Sequence, residues 1–125
     1  MIEGTLILES LQEGSELKGY PIRVRSMRRE KADLSLEQIA AGLPSLWSVI
    51  DFEMEDERAF ELAEALSRFL EPTGWYASFQ STTESFIVFS GRIFQYPRGD
   101  ASGRAEAQAY GREMGIPEIQ LNWAV

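Results

Sequence analysis

Residues 59–70 read AFELAEALSRFL, and residues 75–90 read WYASFQSTTESFIVFS. In the first stretch the apolar side chains recur at helical spacing, namely Ala59, Phe60, Leu62, Ala63, Leu66, Phe69 and Leu70. That spacing predicts an amphipathic helix with one buried stripe. The second stretch contains two strand-like blocks around residues 81–84, which predicts a β-hairpin. A helix followed by a hairpin indicates an α+β fold with an antiparallel or mixed sheet.

The neighbouring segments extend this pattern on both sides. Residues 46–54 alternate in polarity, which predicts a strand. Gly91 is expected to bulge the second hairpin strand before residues 92–96 continue it. Asp100 is suited to cap a helix. Residues 119–125 are expected to form a short last strand or a docked extension. Residues 46–125 therefore have the β-α-β-β-α order of a ferredoxin-like layer, in which two helices cover one face of the sheet.

The segment before residue 46 is expected to add to that sheet. Residues 1–31 are predicted to form an N-terminal β-hairpin around a turn at residues 12–16. Ser35 lies three residues before Gln38, a capping-box spacing that predicts a short helix over residues 35–42. The length of 125 residues and the lack of a linker or repeat predict a single domain, 1–125.

The composition excludes several classes of function. Twenty acids against twelve bases give a net charge of -8, which argues against nucleic acid and anionic membranes as partners. The chain has no cysteine and no histidine, so thiolate chemistry, disulfides and the commonest metal ligand are missing. We therefore expect no metal, no cofactor and no catalytic residue. Because the sequence shows neither a signal peptide nor a run of about 18 apolar residues, we expect a cytoplasmic protein.

Several stretches of the second half resemble a group of small actinobacterial proteins of unknown function. They are Gly74-Trp75-Tyr76, residues 89–100 (FSGRIFQYPRGD), residues 103–107 (GRAEA), Tyr110-Gly111-Arg112 and Pro117-Glu118, with further similarity at residues 4–7 and around Phe52. The resemblance implies a bacterial, cytoplasmic protein. It implies no activity, cofactor or catalytic residue.

Charges of opposite sign are concentrated in two separate stretches. Residues 18–31 hold six bases against Glu30, and residues 51–64 hold seven acids against Arg58. The seven acids are candidate partner-binding residues: Asp51, Glu53, Glu55, Asp56, Glu57, Glu61 and Glu64. We expect a non-enzymatic protein-binding module, of the immunity, inhibitor or regulatory kind, that docks on a basic protein surface. The basic stretch either binds an acidic partner or phosphate, or protects a strand edge from aggregation.

Two alternatives stay open. In the first, the chain is a module or enzyme that binds a small anionic or nucleotide-like ligand. The ligand would lie in a cleft of arginines and aromatic rings, namely Trp75, Arg92, Tyr96, Arg98 and Arg104. Otherwise it is a homodimer joined through a sheet face or a free strand edge. A divalent metal at Asp51, Glu53 and Glu55 is disfavoured, because alternate residues of one strand lie about 6 to 7 Å apart.

Overall fold

The computed structural model describes residues 1–125 as an α+β fold with one antiparallel sheet. Its six strands are β1 (Ile2–Ile7), β2 (Arg23–Lys31), β3 (Leu46–Met54), β4 (Ala77–Gln80), β5 (Glu84–Phe89) and β6 (Arg92–Pro97). Its three α-helices are α1 (Leu36–Ala40), α2 (Ala59–Phe69) and α3 (Ala101–Glu113). The order across the sheet is β2-β3-β1-β4-β5-β6, and every neighbouring pair is antiparallel.

The predicted helix starts are confirmed by their caps. The Ser35 hydroxyl accepts from the Gln38 N–H while the Gln38 side chain accepts from the Ser35 N–H, the reciprocal pair of a capping box. The Asp100 carboxylate accepts from the N–H groups of Ser102 and Gly103 at the start of α3. These bonds satisfy amides that a helix leaves without internal partners. No helix of the chain combines the length and the apolar character that crossing a bilayer requires.

The two longer helices pack on opposite faces of the sheet. Phe86 and Val88 of β5 belong to the core beneath α2, whereas Ile87 and Phe89 belong to the core beneath α3. Successive side chains of a strand point to opposite faces, so one buried strand serves both cores. The predicted ferredoxin-like layer, with both helices on one face, is not the arrangement of this chain. Every residue from Phe86 to Phe89 is buried. A sheet covered on one face only would bury every second residue of the strand.

The predicted N-terminal hairpin is wrong, because β3 lies between β1 and β2. Ile2 and Leu6 are buried, which suits β1 to the middle of the sheet. All nine residues of β2 are exposed, which suits it to the edge. Gly4 fits the crowded centre because a Cβ there would lie 2.5 Å from the Cβ of Phe79. Tertiary packing thus overrides the short-range pairing that the turn residues indicated.

At the other end of the sheet one prediction is corrected, and the tail takes the second of the two forms expected for it. Phe89 pairs with Arg92, so Ser90 and Gly91 form a two-residue hairpin turn and not a bulge. Gly91 has a φ of 73°, a left-handed conformation that glycine adopts without strain. Residues 119–125 form no strand: after a short 3-10 helix at Glu118–Gln120 the tail lies against α3. It docks through buried Leu121 and Trp123.

Candidate functional site

The acidic residues of β3 face the arginines of β2 across one ladder. Glu53 lies 3.2 Å from Arg23 and 3.9 Å from Arg25, and Asp51 lies 2.5 Å from Arg28. Two further pairs join the same cluster, Glu3 with Arg25 at 2.8 Å and Glu55 with Arg23 at 3.8 Å. Three of the seven acids and three of the six bases therefore offset each other within the fold. We refer to this cluster as the strand ion-pair network.

Asp51 is the most heavily bonded carboxylate of this network. Its Oδ1 accepts from the Thr5 hydroxyl at 2.8 Å, and its Oδ2 accepts from the Ser26 hydroxyl at 2.8 Å and from Arg28. Burial alone would raise the pKa of Asp51, but the hydrogen bonds from Ser26, Thr5 and Arg28 outweigh it and lower the pKa below the usual value. Asp51 therefore stays ionised at neutral pH, so it is poorly suited to act as a general acid.

The acids around α2 divide into paired and unpaired residues. Asp56 lies 2.7 Å from the N-terminal ammonium, and Glu61 lies 2.9 Å from Arg58. Glu57 and Glu64 take part in none of the nine ion pairs of the chain. Both are exposed. Glu57, just before α2, and Glu64, in its middle, therefore carry negative charge that no ion pair within 4 Å offsets, and the N-terminal ammonium acts on Glu57 only from farther away.

Phe60 lies between these two acids and is 50% exposed. The sequence pattern assigned it to the buried stripe of the helix, which in the structure consists of Ala59, Leu62, Ala63, Ala65 and Leu66. Residues three and four apart on a helix are neighbours, so Glu57, Phe60 and Glu64 share one strip of its surface. We call Glu57, Phe60, Glu61 and Glu64 the α2 patch. A helical-wheel projection would have separated Phe60 from the buried stripe, because it places Phe60 beside Glu57 and Glu64.

The five residues of the predicted ligand cleft do not line one cleft: Tyr96, Arg98 and Arg104 meet the C-terminal tail, whereas Arg92 and Trp75 lie elsewhere. Arg92 stacks over Phe94 and Tyr110, with its guanidinium carbon 4.7 and 5.3 Å from the two ring centres. Tyr96 is buried, and its hydroxyl accepts from the Trp123 indole N–H at 2.8 Å. Trp75 lies elsewhere, with its ring centre 5.1 Å from that of Trp47.

Arg98 and Arg104 hold the C-terminal tail. Arg104 donates to the Trp123 carbonyl at 2.7 Å, and Arg98 donates to the Val125 carbonyl at 3.4 Å and the Ser81 carbonyl at 3.2 Å. The Asp100 carboxylate occupies the amides at the start of α3, the position where an anion would bind. These contacts give both arginines a structural role in the fold.

A groove lies on the α3 face of the sheet, between the tail and the strand ion-pair network. Its wider part, about 300 Å³, is lined by Trp47, Trp75, Tyr76, Gln120 and Asn122 together with residues of β1 and β4. A second part of about 210 Å³ reaches Ser85 and Trp123. Thr5 and Ser78 line both parts, so the two adjoin. We call this feature the sheet groove. Trp75 is the one residue of the predicted ligand cleft that lines it.

The groove is built by elements that are far apart in sequence. Tyr76 is buried enough that its pKa rises to about 12, and its hydroxyl donates to the Gln120 carbonyl. That bond fixes the 3-10 helix Glu118–Gln120 against β4. No sequence motif pointed to the groove, because a strand start, a loop and the tail each supply one wall.

The described residues contain no group of three or more carboxylates placed to hold a metal ion. The carboxylates of Asp51 and Glu53 are engaged by arginines and hydroxyl groups instead. No protein-family model, no curated protein and no solved structure matches this chain.

Proposed function

We propose that the chain is a non-enzymatic, cytoplasmic protein-binding module, of the inhibitor, immunity or regulatory kind, that docks on a basic partner through the α2 patch. The observation that carries this proposal is the half-exposed ring of Phe60 between Glu57 and Glu64, two carboxylates without ion-pair partners. An exposed aromatic ring supplies the apolar anchor of an interface, and the carboxylates around it favour a basic partner.

The energy available at this patch is consistent with a specific contact. Burying a phenylalanine side chain completely stabilises by about 1.5 to 3 kcal/mol, and half of the Phe60 ring is still exposed. The net charge of -8 attracts a cationic protein from a distance, and salt weakens that attraction. We therefore expect association that is fast and sensitive to salt.

The strand acids take a smaller part in this proposal than those of α2. Asp51 and Glu53 contact the arginines of β2 within the chain, so a basic partner would have to displace those arginines. Glu55 and Asp56 also have cationic neighbours. These acids add to the overall negative charge of the protein but are locally offset. The partner surface is accordingly centred on Phe60.

Pairing of two copies through the free edge of β2 is the second candidate. The edge is nine residues long and exposed throughout, which favours strand addition. In an antiparallel pair centred on Met27, however, Arg25 would lie opposite Arg29 and Arg23 opposite Lys31. Like charges directly opposite one another are destabilising, so the α2 patch is the better supported surface.

Affinity capture from the source organism tests the proposal. The immobilised chain is compared with the double variant Glu57→Lys with Glu64→Lys and with the single variant Phe60→Ala. The matched control is Glu106→Lys with Glu113→Lys, the same change of charge on exposed residues of α3. Capture is performed at low ionic strength and repeated near 1 M salt, where the Debye length falls to about 3 Å.

We expect at least one protein with a basic surface to be retained by the unchanged chain and by the α3 control. It should be lost with either α2 variant and released at high salt. Capture that is equal for all four proteins, or lost only with the α3 control, would show that the α2 patch is not the docking surface.

A further inference from the structure

The wider part of the sheet groove has the features of a small-molecule site. Its volume of about 300 Å³ lies at the lower end of ligand pockets. None of its ten lining residues is charged, and Glu3 is the one charged residue that lines the adjoining part. An uncharged wall offers no counter-ion to a phosphate or a carboxylate, so it selects for a neutral ligand.

The aromatic wall narrows the class of ligand. The rings of Trp47 and Trp75 have their centres 5.1 Å apart and are inclined by 52°, so they contact each other and leave no parallel slot between them. A flat heterocycle is held best between parallel ring faces, and this pair cannot provide them. The outer face of an indole still attracts polarised C–H groups through its quadrupole. Because Trp75 is 7% exposed, half-buried Trp47 supplies most of the ring face that a ligand with an aliphatic face would contact.

The polar wall suits a ligand with several hydroxyl groups. The Thr5 hydroxyl is engaged by Asp51 and the Gln120 amide by Gln38, which leaves Ser78 and Asn122 facing the cavity. An amide and a hydroxyl each donate and accept hydrogen bonds. Sugar hydroxyls also donate and accept hydrogen bonds, so they can pair with both the donors and the acceptors of Ser78 and Asn122.

The adjoining part of the groove supplies an independent observation. Ser85 is 1% exposed, and its Oγ has no hydrogen-bond partner. A buried hydroxyl without a partner is destabilising. Ser85 lines the cavity of about 210 Å³ that meets the wider part at Thr5 and Ser78. A hydroxyl of a ligand that extends past Ser78 would supply the missing partner.

We propose that the sheet groove binds a neutral carbohydrate of one or two rings, with an aliphatic ring face against the Trp47–Trp75 wall and hydroxyl groups toward Ser78, Asn122 and Ser85. The site is on the α3 face of the sheet, opposite to α2. It is therefore separate from the docking surface proposed above, and either proposal can fail without the other.

The test is titration of the protein with glucose, galactose, N-acetylglucosamine, maltose and cellobiose, followed by tryptophan fluorescence and by amide NMR shifts. Glucose 6-phosphate and adenosine serve as the charged and the flat comparison ligands. Because Trp75 is 7% exposed and its replacement endangers folding, the variants are Asn122→Ala and Ser85→Ala. Phe60→Ala on the opposite face is the matched control.

We expect at least one neutral sugar to bind and to shift amides of residues 75–78 and 119–123. Asn122→Ala should weaken that sugar by about tenfold, which corresponds to ~1.4 kcal/mol, and Phe60→Ala should leave its affinity unchanged. No response to any of the five sugars at about 20 mM, well above a dissociation constant of 1 mM, would overturn the proposal. Tighter binding of adenosine, or sugar binding that Asn122→Ala leaves unchanged, would overturn it too.

Discussion

Arg28 of β2 donates to the carboxylate of Asp51 of β3 at 2.5 Å, and the hydroxyl groups of Thr5 and Ser26 complete the coordination of that carboxylate. Asp51 thus connects three neighbouring strands of the sheet through side chains. The contact also explains why β2 keeps its place although all nine of its residues are exposed: its attachment to β3 includes ion pairs besides the backbone ladder.

Asp51→Asn should lower the free energy of unfolding at pH 7 by about 1 kcal/mol, the usual value for a hydrogen-bonded, partly exposed ion pair. Urea unfolding measures it. In a double-mutant cycle with Arg28→Gln, the two losses should not add, because both remove the same contact. Additive losses would show that the side chains do not interact in solution.

The contribution of Asp51 should also depend on pH. Its pKa is lowered in the folded chain from 3.8, so its stabilisation is complete above the unfolded pKa and is lost as pH falls through the folded one. The difference in unfolding free energy between the unchanged chain and Asp51→Asn should therefore be constant from pH 7 to about pH 5 and shrink below about pH 4. A difference that grows on acidification would contradict this assignment.

Tyr76 should make the protein sensitive to alkali. Burial raises its pKa to about 12 from 10.0, so the folded chain keeps a proton that the unfolded chain loses. Stability is then complete below pH 10 and falls as pH rises toward 12. In Tyr76→Phe that part of the decline should be absent, although the variant starts lower because the bond to the Gln120 carbonyl is gone. Unfolding free energies between pH 8 and pH 11 provide the measurement.

Gly4→Ala should be strongly destabilising, by more than about 1 to 3 kcal/mol, the usual cost of overpacking a core. Its Cβ would lie 2.5 Å from the Cβ of Phe79 and 2.8 Å from the Ser78 carbonyl oxygen, neither of which can move without the strand. Gly111→Ala is the comparison. Its Cβ would meet Cδ2 of Leu121 at 2.6 Å, and that flexible end can turn away.

The two glycine variants should therefore differ in thermal unfolding. A gain in helix propensity of about 1 kcal/mol offsets the clash in α3, whereas nothing offsets the clash in β1. Equal melting temperatures for the two variants would show that β1 is not packed in the middle of the sheet.

Phe60→Ala should lower the unfolding free energy by about 1 kcal/mol or less, because only half of its side chain is buried. Leu62→Ala, two residues away and 1% exposed, should cost about 2 to 5 kcal/mol. Chemical denaturation of both variants distinguishes a docking residue from a core residue. A loss for Phe60→Ala close to that for Leu62→Ala would place Phe60 in the core.

Local sequence signals predicted the elements of this fold better than their arrangement. The strand at residues 46–54, the amphipathic helix at residues 59–70 and the helix cap at Asp100 follow from periodicity and capping chemistry, which act within a few residues. The order of the strands depends on which of them is buried on both faces, and that is a property of the whole sheet. The placement of β3 between β1 and β2 could not be derived from turn residues alone.

The candidate site shows the same limit. The acids of residues 51–64 were visible in the sequence, but which of them β2 neutralises depends on the register of β2 against β3, where Ser26 lies opposite Asp51. Two arginines near the start of a helix, Arg98 and Arg104, are typical of an anion site. In the structure, however, they donate to carbonyls of the C-terminal tail. The sequence therefore shows which charged residues are present, but only the folded structure shows which of them remain unpaired and able to bind a partner.

The most direct test of the docking claim is labelling of carboxylates with a carbodiimide and glycine ethyl ester, read by mass spectrometry, with and without the captured partner. Exposed Glu57 and Glu64 of the α2 patch are compared with exposed Glu106 and Glu113 on α3. If the partner docks on the α2 patch, its binding should suppress labelling of Glu57 and Glu64 and leave labelling of Glu106 and Glu113 unchanged. Full labelling of Glu57 and Glu64 in the complex would contradict it.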